Sequence, residues 1–177
     1  IVSRINPATG TKTVILNHVS NVYQNSESGM LGMVLHPNFP TTPEVFIAYT
    51  YNSGGIKERI VKFTYNGTSL INEQILLDNI VGNTTHIGCR MHIMPDNTLI
   101  LSTGDAQDQD LPQDVNTLNG KILRMNLDGT IPSDNPIVES YVYSYGHRNV
   151  QGIAAGPTGT IYLSEHGASS DDEFQIL

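Results

Sequence analysis

Residues 144–173 read SYGHRNVQGIAAGPTGTIYLSEHGASSDDE, and the two ends of this stretch carry opposite chemistry. Arg148 offers a planar fork of N–H donors suited to a carboxylate or a phosphate. Asn149 and Gln151 add amide donors and acceptors within three residues of it. Further on, residues 167–173 supply loop carbonyls and three consecutive carboxylates, Asp171, Asp172 and Glu173, a donor set suited to a hard cation such as calcium. With one short strand between them, the two ends would form a site for an anionic ligand bridged by a metal. A plainer reading, a loop arginine in a structural ion pair beside a solvated acidic turn, accounts for the residue types at least as well.

A second concentration of chemistry is the loop Asn83-Thr84-Thr85-His86-Ile87-Gly88-Cys89-Arg90. His86 is a candidate general base, because imidazole is the side chain whose ordinary pKa lies nearest neutrality. Asp105, at the end of the following strand in Ser-Thr-Gly-Asp-Ala, could orient it as carboxylates do in other His–Asp pairs. Taken alone, a loop histidine reads more simply as solvent-facing. The spacing His86-x2-Cys89-x2-His92 supplies three zinc donors without a fourth, and strand alternation would turn His92 away from its neighbours. Asp105, Asp108 and Asp110 lack the glycine and terminal glutamate of a calcium-binding helix-loop-helix, which makes them a solvated loop. Asn66-Gly67-Thr68 and Asn83-Thr84-Thr85 match the glycosylation sequon, a weak and frequent pattern. Phosphate-binding glycine loops and a nucleophilic-serine elbow are absent from the sequence.

The elements that must position these residues are strands. Residues 1–15 read as a hairpin around Pro-Ala-Thr-Gly, and residues 17–29 as a polar loop. Alternating or β-branched runs follow at 30–36, 45–51, 59–65, 75–77, 91–94, 98–102, 121–126 and 142–145, with a polar loop at 106–116. No ten-residue run has a helical period, so the chain is all-β. The units MVLHPNF…EVFIAYT, MHIMPDNTLILSTGDA and IAAGPTGTIYLSEHG share one plan, a strand, a Pro-centred turn and an apolar strand ending in a polar loop. Their prolines, Pro37, Pro95 and Pro157, lie 58 and 62 residues apart. A period near sixty with four short strands per unit is the pattern of β-propeller blades, which predicts a partial propeller over 1–177 with approximate blades at 1–80, 81–140 and an incomplete 141–177. A β-sandwich, which needs no repeat, is the alternative.

Bulk properties narrow the function classes. The 177 residues suffice for one domain with a real core, and 38% are hydrophobic. A net charge of −8 argues against nucleic acid and anionic membrane surfaces as partners. Cys89 is the sole cysteine, so no intrachain disulfide forms. No apolar run approaches membrane-spanning length. The chain opens at Ile1 without Met or a signal-like segment and stops inside a strand-like run, which suggests a piece of a longer polypeptide. A half propeller would expose unpaired blade faces, so self-association with a second copy is expected.

Read in order, GMLGMVLHPNF (29–39), THIGCRM (85–91), STGDA (102–106), LNGKILRMNLDGTIPSDNP (118–136), YGHRNVQGIA (145–154) and SEHGASSDDE (164–173) closely resemble the soluble glucose/sorbosone dehydrogenases, which use pyrroloquinoline quinone (PQQ). The resemblance runs from about Ser3 to the last residue. It implies a six-bladed propeller holding PQQ and calcium on its top face, exported to the periplasm or secreted. His86 matches the base that takes the anomeric hydroxyl proton of an aldose while hydride passes to the quinone, giving the lactone. Asp105 matches the carboxylate beside that base, and Arg148, Asn149 and Gln151 match the cofactor-contacting run. Gly167 and Ala168 match the two carbonyls that hold calcium, with Asp172 in the same loop, and Glu27 falls at the substrate pocket. An external acceptor would then take the electrons.

There are departures. Cys89 replaces a usual glycine, where a side chain would crowd PQQ, Ala168 replaces a usual proline, and Thr85 stands where some members carry Asp. Downstream basic residues that complete the family's cofactor pocket lie outside the sequence. Alternatives to the dehydrogenase are a propeller that lost catalysis and serves as a recognition module, and a metal-dependent lactone hydrolase.

Overall fold

The computed structural model describes every residue except 18 and 20. In chain order the strands are β1 (Val2–Ile5), β2 (Lys12–Leu16), β3 (Met30–Leu35), β4 (Glu44–Asn52), β5 (Ile56–Tyr65), β6 (Leu70–Val81), β7 (Gly88–Ile93), β8 (Thr98–Thr103), β9 (Lys121–Asn126), β10 (Val142–Tyr145), β11 (Val150–Ala155), β12 (Ile161–Glu165) and β13 (Glu173–Ile176). Among the described residues, one 3-10 turn covers Leu111–Gln113. Strands pair with their neighbours in sequence, giving the hairpin β1-β2, two four-stranded antiparallel sheets, β3–β6 and β7–β10, and the three-stranded β11–β13. Consecutive meanders of this kind are propeller blades. A two-sheet sandwich with Greek-key connections would require strands to cross between sheets, and among the described residues none does.

Side-chain alternation explains the stacking. Along β4, Val45, Ile47, Tyr49 and Tyr51 enter a core shared with Val2 and Val19, while Phe46 and Ala48 face the opposite way into a core shared with the next sheet. Along β8, Leu99 and Leu101 join that second core, and Ile100 faces a third one with Val150, Ile161 and Leu163. Both strands are therefore buried on both faces, and their apolar runs read as continuous. Each fully buried Leu, Ile or Phe contributes about 1.5–3 kcal/mol, so these alternating residues hold one sheet against the next.

The first strand of each sheet is innermost: β7 touches both β3 and β11. The Pro-centred turns lie at one end of the sheets, closed by Met94 N–H donating to the Thr98 carbonyl (2.8 Å) and by Gly156 N–H donating to the Thr160 carbonyl (2.8 Å). Antiparallel pairing then puts the segments before β7 and β11 and those after β8 and β12 together at the other end, where His86, Asp105, Arg148, Asn149 and the acidic loop fall.

Three expectations are corrected. The second sheet runs past 140, because β10 pairs with β9 through Val142↔Leu123 and Tyr145↔Lys121. The hairpin at residues 1–15 is a separate two-stranded sheet rather than part of the first four-stranded one. Two strands, not one, join the Arg148 cluster to the acidic loop, since the turn at Gly156-Pro157-Thr158-Gly159, with Gly159 at φ +86°, folds β12 back on β11.

Candidate functional site

His86 precedes β7 in a left-handed conformation, φ +54°, and its backbone N–H donates to Glu27 Oε2 at 2.8 Å. Its ring spans two partners, with Nδ1 2.8 Å from Asp105 Oδ1 and Nε2 3.0 Å from Arg148 Nη2. A carboxylate only accepts and a guanidinium only donates, so the hydrogen sits on Nδ1 and the Nε2 lone pair faces Arg148. Asp105 is buried and is fixed twice more: Oδ1 accepts from Gln107 N–H (2.7 Å), and its own N–H donates to the Arg148 carbonyl (2.8 Å). The structure thus brings Glu27, His86, Asp105 and Arg148 into one chain of contacts, joining residues from three segments far apart in sequence.

Arg148 also donates through Nη1 to the His166 carbonyl at 3.1 Å. Beside it, the buried Asn149 accepts on Oδ1 from Gly88 N–H (3.2 Å) and from Gln151 Nε2 (2.8 Å). Gln151 in turn is gripped by Arg90, whose Nε donates to its carbonyl (2.8 Å) and whose Nη2 donates to Oε1 (2.7 Å). Asn149, Gln151 and Arg90 border a cleft of about 310 Å³ whose walls also include Glu27, Leu31 and Gly88. A second cleft of about 270 Å³, bordered by Asp105, Gln113, His147, Arg148 and Ala168, lies against the same loop. A larger one of about 370 Å³ sits among the Pro-centred turns at the opposite end, where Arg124 is already neutralised by Asp96 (2.8 Å) and Asp134 (2.9 Å).

What holds the Arg148 loop is Glu165. Its Oε1 accepts from the backbone N–H of Arg148 and from that of Asn149 (3.2 Å), and its Oε2 accepts from His147 Nδ1 (3.0 Å). Burial pushes this carboxyl up, but the bonds from His147 and the two backbone amides outweigh burial and hold it below the ordinary value of 4.5. His147 Nε2 is left to accept from Ser144 Oγ at 2.9 Å.

The acidic loop closes on itself. Asp172 Oδ1 accepts from Gly167 N–H at 3.0 Å and lies 3.5 Å from His166 Nδ1. A side chain at Gly167 would collide with the Ser170 and Asp171 carbonyls, so the loop's oxygens are packed about a position that only glycine fills. Among the described residues, no three His, Cys, Asp or Glu side chains converge as metal donors. The zinc spacing accordingly does not assemble, since His86 is committed to Asp105 and Arg148 while Cys89 is buried.

Cys89 does not crowd the cleft. Alternation along β7 points Gly88 and Arg90 toward it and sends Cys89 into the core between the first two sheets, where Sγ donates to Glu58 Oε2 at 3.0 Å. Three residues escaped the sequence reading. Arg90 and Glu165 were readable in principle: Arg90 shares a strand face with Gly88, and Glu165 ends a run in which Ile161 and Leu163 alternate inward. Glu58 gave no signal, because its partner lies 31 residues away in another sheet.

The sequence profile of the glucose/sorbosone dehydrogenases matches residues 2–177. Quinoprotein glucose dehydrogenase B of Acinetobacter calcoaceticus is 33% identical over 208 residues, covering 98% of this chain and 43% of that protein. Aldose sugar dehydrogenase YliI of Escherichia coli is 28% identical over 178 residues, covering 91% of this chain and 47% of its own length. The PQQ-bound form of the aldose sugar dehydrogenase from Streptomyces coelicolor superposes with a TM-score of 0.89 at 36% identity, over 97% of this chain and 52% of that one. The chain therefore spans about half the length of the relatives it matches. A profile match over nearly every residue, on a fold that superposes on a solved relative, places the chain in the glucose/sorbosone dehydrogenase family.

Proposed function

We propose that the chain is part of a PQQ- and calcium-dependent dehydrogenase that oxidises an aldose at its anomeric carbon to the lactone and passes the electrons to an external acceptor. The observation that carries this reading is the His86 imidazole suspended between Asp105 and Arg148, which border one cleft, with Asn149 and Gln151 bordering a second one beside the same loop. The names of the relatives, a quinoprotein glucose dehydrogenase and a PQQ-bound aldose sugar dehydrogenase, support it.

The residues present fit these groups. PQQ is a planar polyanion; the amides of Asn149 and Gln151 border a cleft of about 310 Å³, within the ~300–1,000 Å³ of small-molecule sites, and Arg148 borders the cleft of about 270 Å³ against the same loop. Arg148, Asn149 and Gln151 would bind it. The carbonyls of Gly167 and Ala168, with Asp172, would hold calcium, since a loop folded tightly on a glycine presents oxygens of the hard type that ion takes. When bound, PQQ supplies the hydride acceptor and calcium the Lewis acid that polarises it.

The chain's own residues handle the proton. Asp105 pins the Nδ1–H tautomer and so reserves Nε2 of His86 to accept the anomeric hydroxyl proton. Glu27 anchors the His86 backbone from the cleft wall, and its carboxylate is placed to accept from sugar hydroxyls. We place the protein in the periplasm or outside the cell; among the described residues, no helix is long and apolar enough to cross a membrane.

One observation favours the second reading, a propeller that lost catalysis. Arg148 Nη2 already donates to Nε2, the atom a substrate proton must reach. Assaying the full-length protein with PQQ, calcium and a panel of aldoses for dye reduction separates the two. Turnover that requires both PQQ and sugar is expected. Tight PQQ binding without turnover on any aldose would favour the recognition module, and calcium-dependent lactone cleavage without PQQ would favour a hydrolase.

A further inference from the structure

The Arg90 guanidinium, on the innermost strand β7, commits two of its nitrogens to one residue of the neighbouring sheet. Nε donates to the Gln151 carbonyl (2.8 Å) and Nη2 to Gln151 Oε1 (2.7 Å). Because a guanidinium only donates, this fork settles which way the Gln151 amide lies: oxygen toward Arg90, nitrogen away. Gln151 Nε2 then donates to Asn149 Oδ1 at 2.8 Å, and Gly88 N–H donates to the same oxygen at 3.2 Å. With its oxygen taken twice, Asn149 must turn its Nδ2 the other way. Among the described residues that nitrogen has no protein partner, yet it is not sealed off: Glu58 Oε1 is the one unpartnered side-chain atom fully enclosed. Asn149 borders the 310 Å³ cleft, the open space beside that amide.

We propose that Arg90 is a positioning residue for the anionic cofactor: through Gln151 it fixes the Asn149 amide with its donor, not its acceptor, toward the ligand's carboxylates. The inference rests on the PQQ reading above and adds a residue to it. Arg90 itself borders the cleft, but its Nε and Nη2 are committed to Gln151. Ser102 Oγ, accepting from Arg90 N–H (3.0 Å) and donating to the Val150 carbonyl (3.1 Å), locks the backbone of β7 to β11 at the same level, so the relay has a fixed base. Without Arg90 the Gln151 amide is free to flip, and a flipped Gln151 would let Asn149 present an oxygen to an anion. A lysine cannot substitute, since one ammonium on a flexible stem does not hold two oxygens in a plane.

The test is titration of PQQ, followed by its own absorbance and fluorescence, into the full-length protein and its Arg90→Lys, Arg90→Met and Gln151→Met variants, with each fold checked by thermal unfolding. Both Arg90 variants are expected to bind about 10- to 100-fold more weakly, as the loss of outer orienting partners commonly costs. Gln151→Met should reproduce the loss with Arg90 intact. In an Asn149→Ala background the Arg90→Met effect should vanish. Wild-type affinity in Arg90→Lys would show that charge alone matters and overturn the proposal. An undiminished Arg90→Met effect without Asn149 would do the same, since Arg90 would then act on the ligand directly. Should Arg90→Met fail to fold, Arg90→Lys and Gln151→Met decide the matter alone. A wild-type protein that binds no PQQ sinks the underlying reading and this inference with it, an outcome distinct from a wild type that binds alongside variants that bind equally well.

Discussion

Glu58 and Glu165 are the same side chain buried at two successive sheet interfaces, and their surroundings drive them in opposite directions. Glu165 faces the polar end of the second and third sheets, where His147 and two backbone amides donate to it. Glu58 pairs with Ile80 across the first sheet and meets Cys89 of the second, with only that thiol on Oε2 and nothing on Oε1. Burial therefore pushes the Glu58 carboxyl well above 4.5, and the thiol's hydrogen bond lowers it only in part. At Glu165, the donors overcome burial. A buried carboxylate is stable as a charge only where several donors face it, and at Glu165 those donors come from the loop carrying Arg148 and Asn149.

The largest expected effect breaks the well-partnered member. Glu165→Ala leaves His147 and the Arg148 and Asn149 amides unpaired, and should cost about 3–5 kcal/mol of stability by urea unfolding of the full-length protein. Because the Glu165 carboxyl is held low, the stability it contributes is present above pH 4.5 and lost as pH falls through its depressed value. The variant should thus show weaker acid destabilisation than wild type; equal acid sensitivity would contradict the assignment.

The opposite sign is expected at Glu58. Its raised pKa means that the native state stays protonated while the unfolded chain ionises, so stability falls as pH rises above the ordinary carboxylate value. Glu58→Gln removes that dependence. Its melting temperature should match wild type near pH 4 and exceed it by a few degrees at pH 7, at about 2–4 °C for each kcal/mol. Parallel curves across that range would show that Glu58 is charged in the fold after all.

A buried cation gives the smallest effect and tests whether many partners suffice for either sign. Lys121 Nζ donates to the carbonyls of Leu111 (2.8 Å), Pro112 (3.1 Å) and Asn119 (2.6 Å), pinning the loop that walls the second cleft. Burial still lowers its pKa to about 8, with the Asp114 charge offsetting little. Lys121→Met should cost about 1–3 kcal/mol through the orphaned carbonyls and speed amide hydrogen exchange at residues 111–119 relative to the sheets. Unchanged exchange there would mean that the loop is held by other contacts.

The sequence displayed the sheet pattern wherever alternation was unbroken. The β4 and β8 runs were plain, because residues facing two cores are apolar throughout. The twelve-residue β6 was visible only at 75–77, since Asn72 (φ +55°) and Asn79 (φ +62°) break its register against β5 and scramble the period of two. At the site, His86, Asp105 and Arg148 stood out as types known to do chemistry. Their meeting could not be read from spacing, because it depends on how β7, β8 and β11 converge at one end. Cys89 is illegible for a related reason: a positive φ of +59° is where a glycine is expected, but the strand face decides where the side chain goes.

The account's central claim is that His86, poised by Asp105, removes the sugar proton. The most direct measurement is kcat for aldose-dependent dye reduction by full-length His86→Ala saturated with PQQ and calcium, with PQQ affinity measured on the same sample. A fall in kcat of about 10²- to 10⁴-fold with PQQ affinity near that of wild type is predicted. Turnover indistinguishable from wild type would contradict the claim.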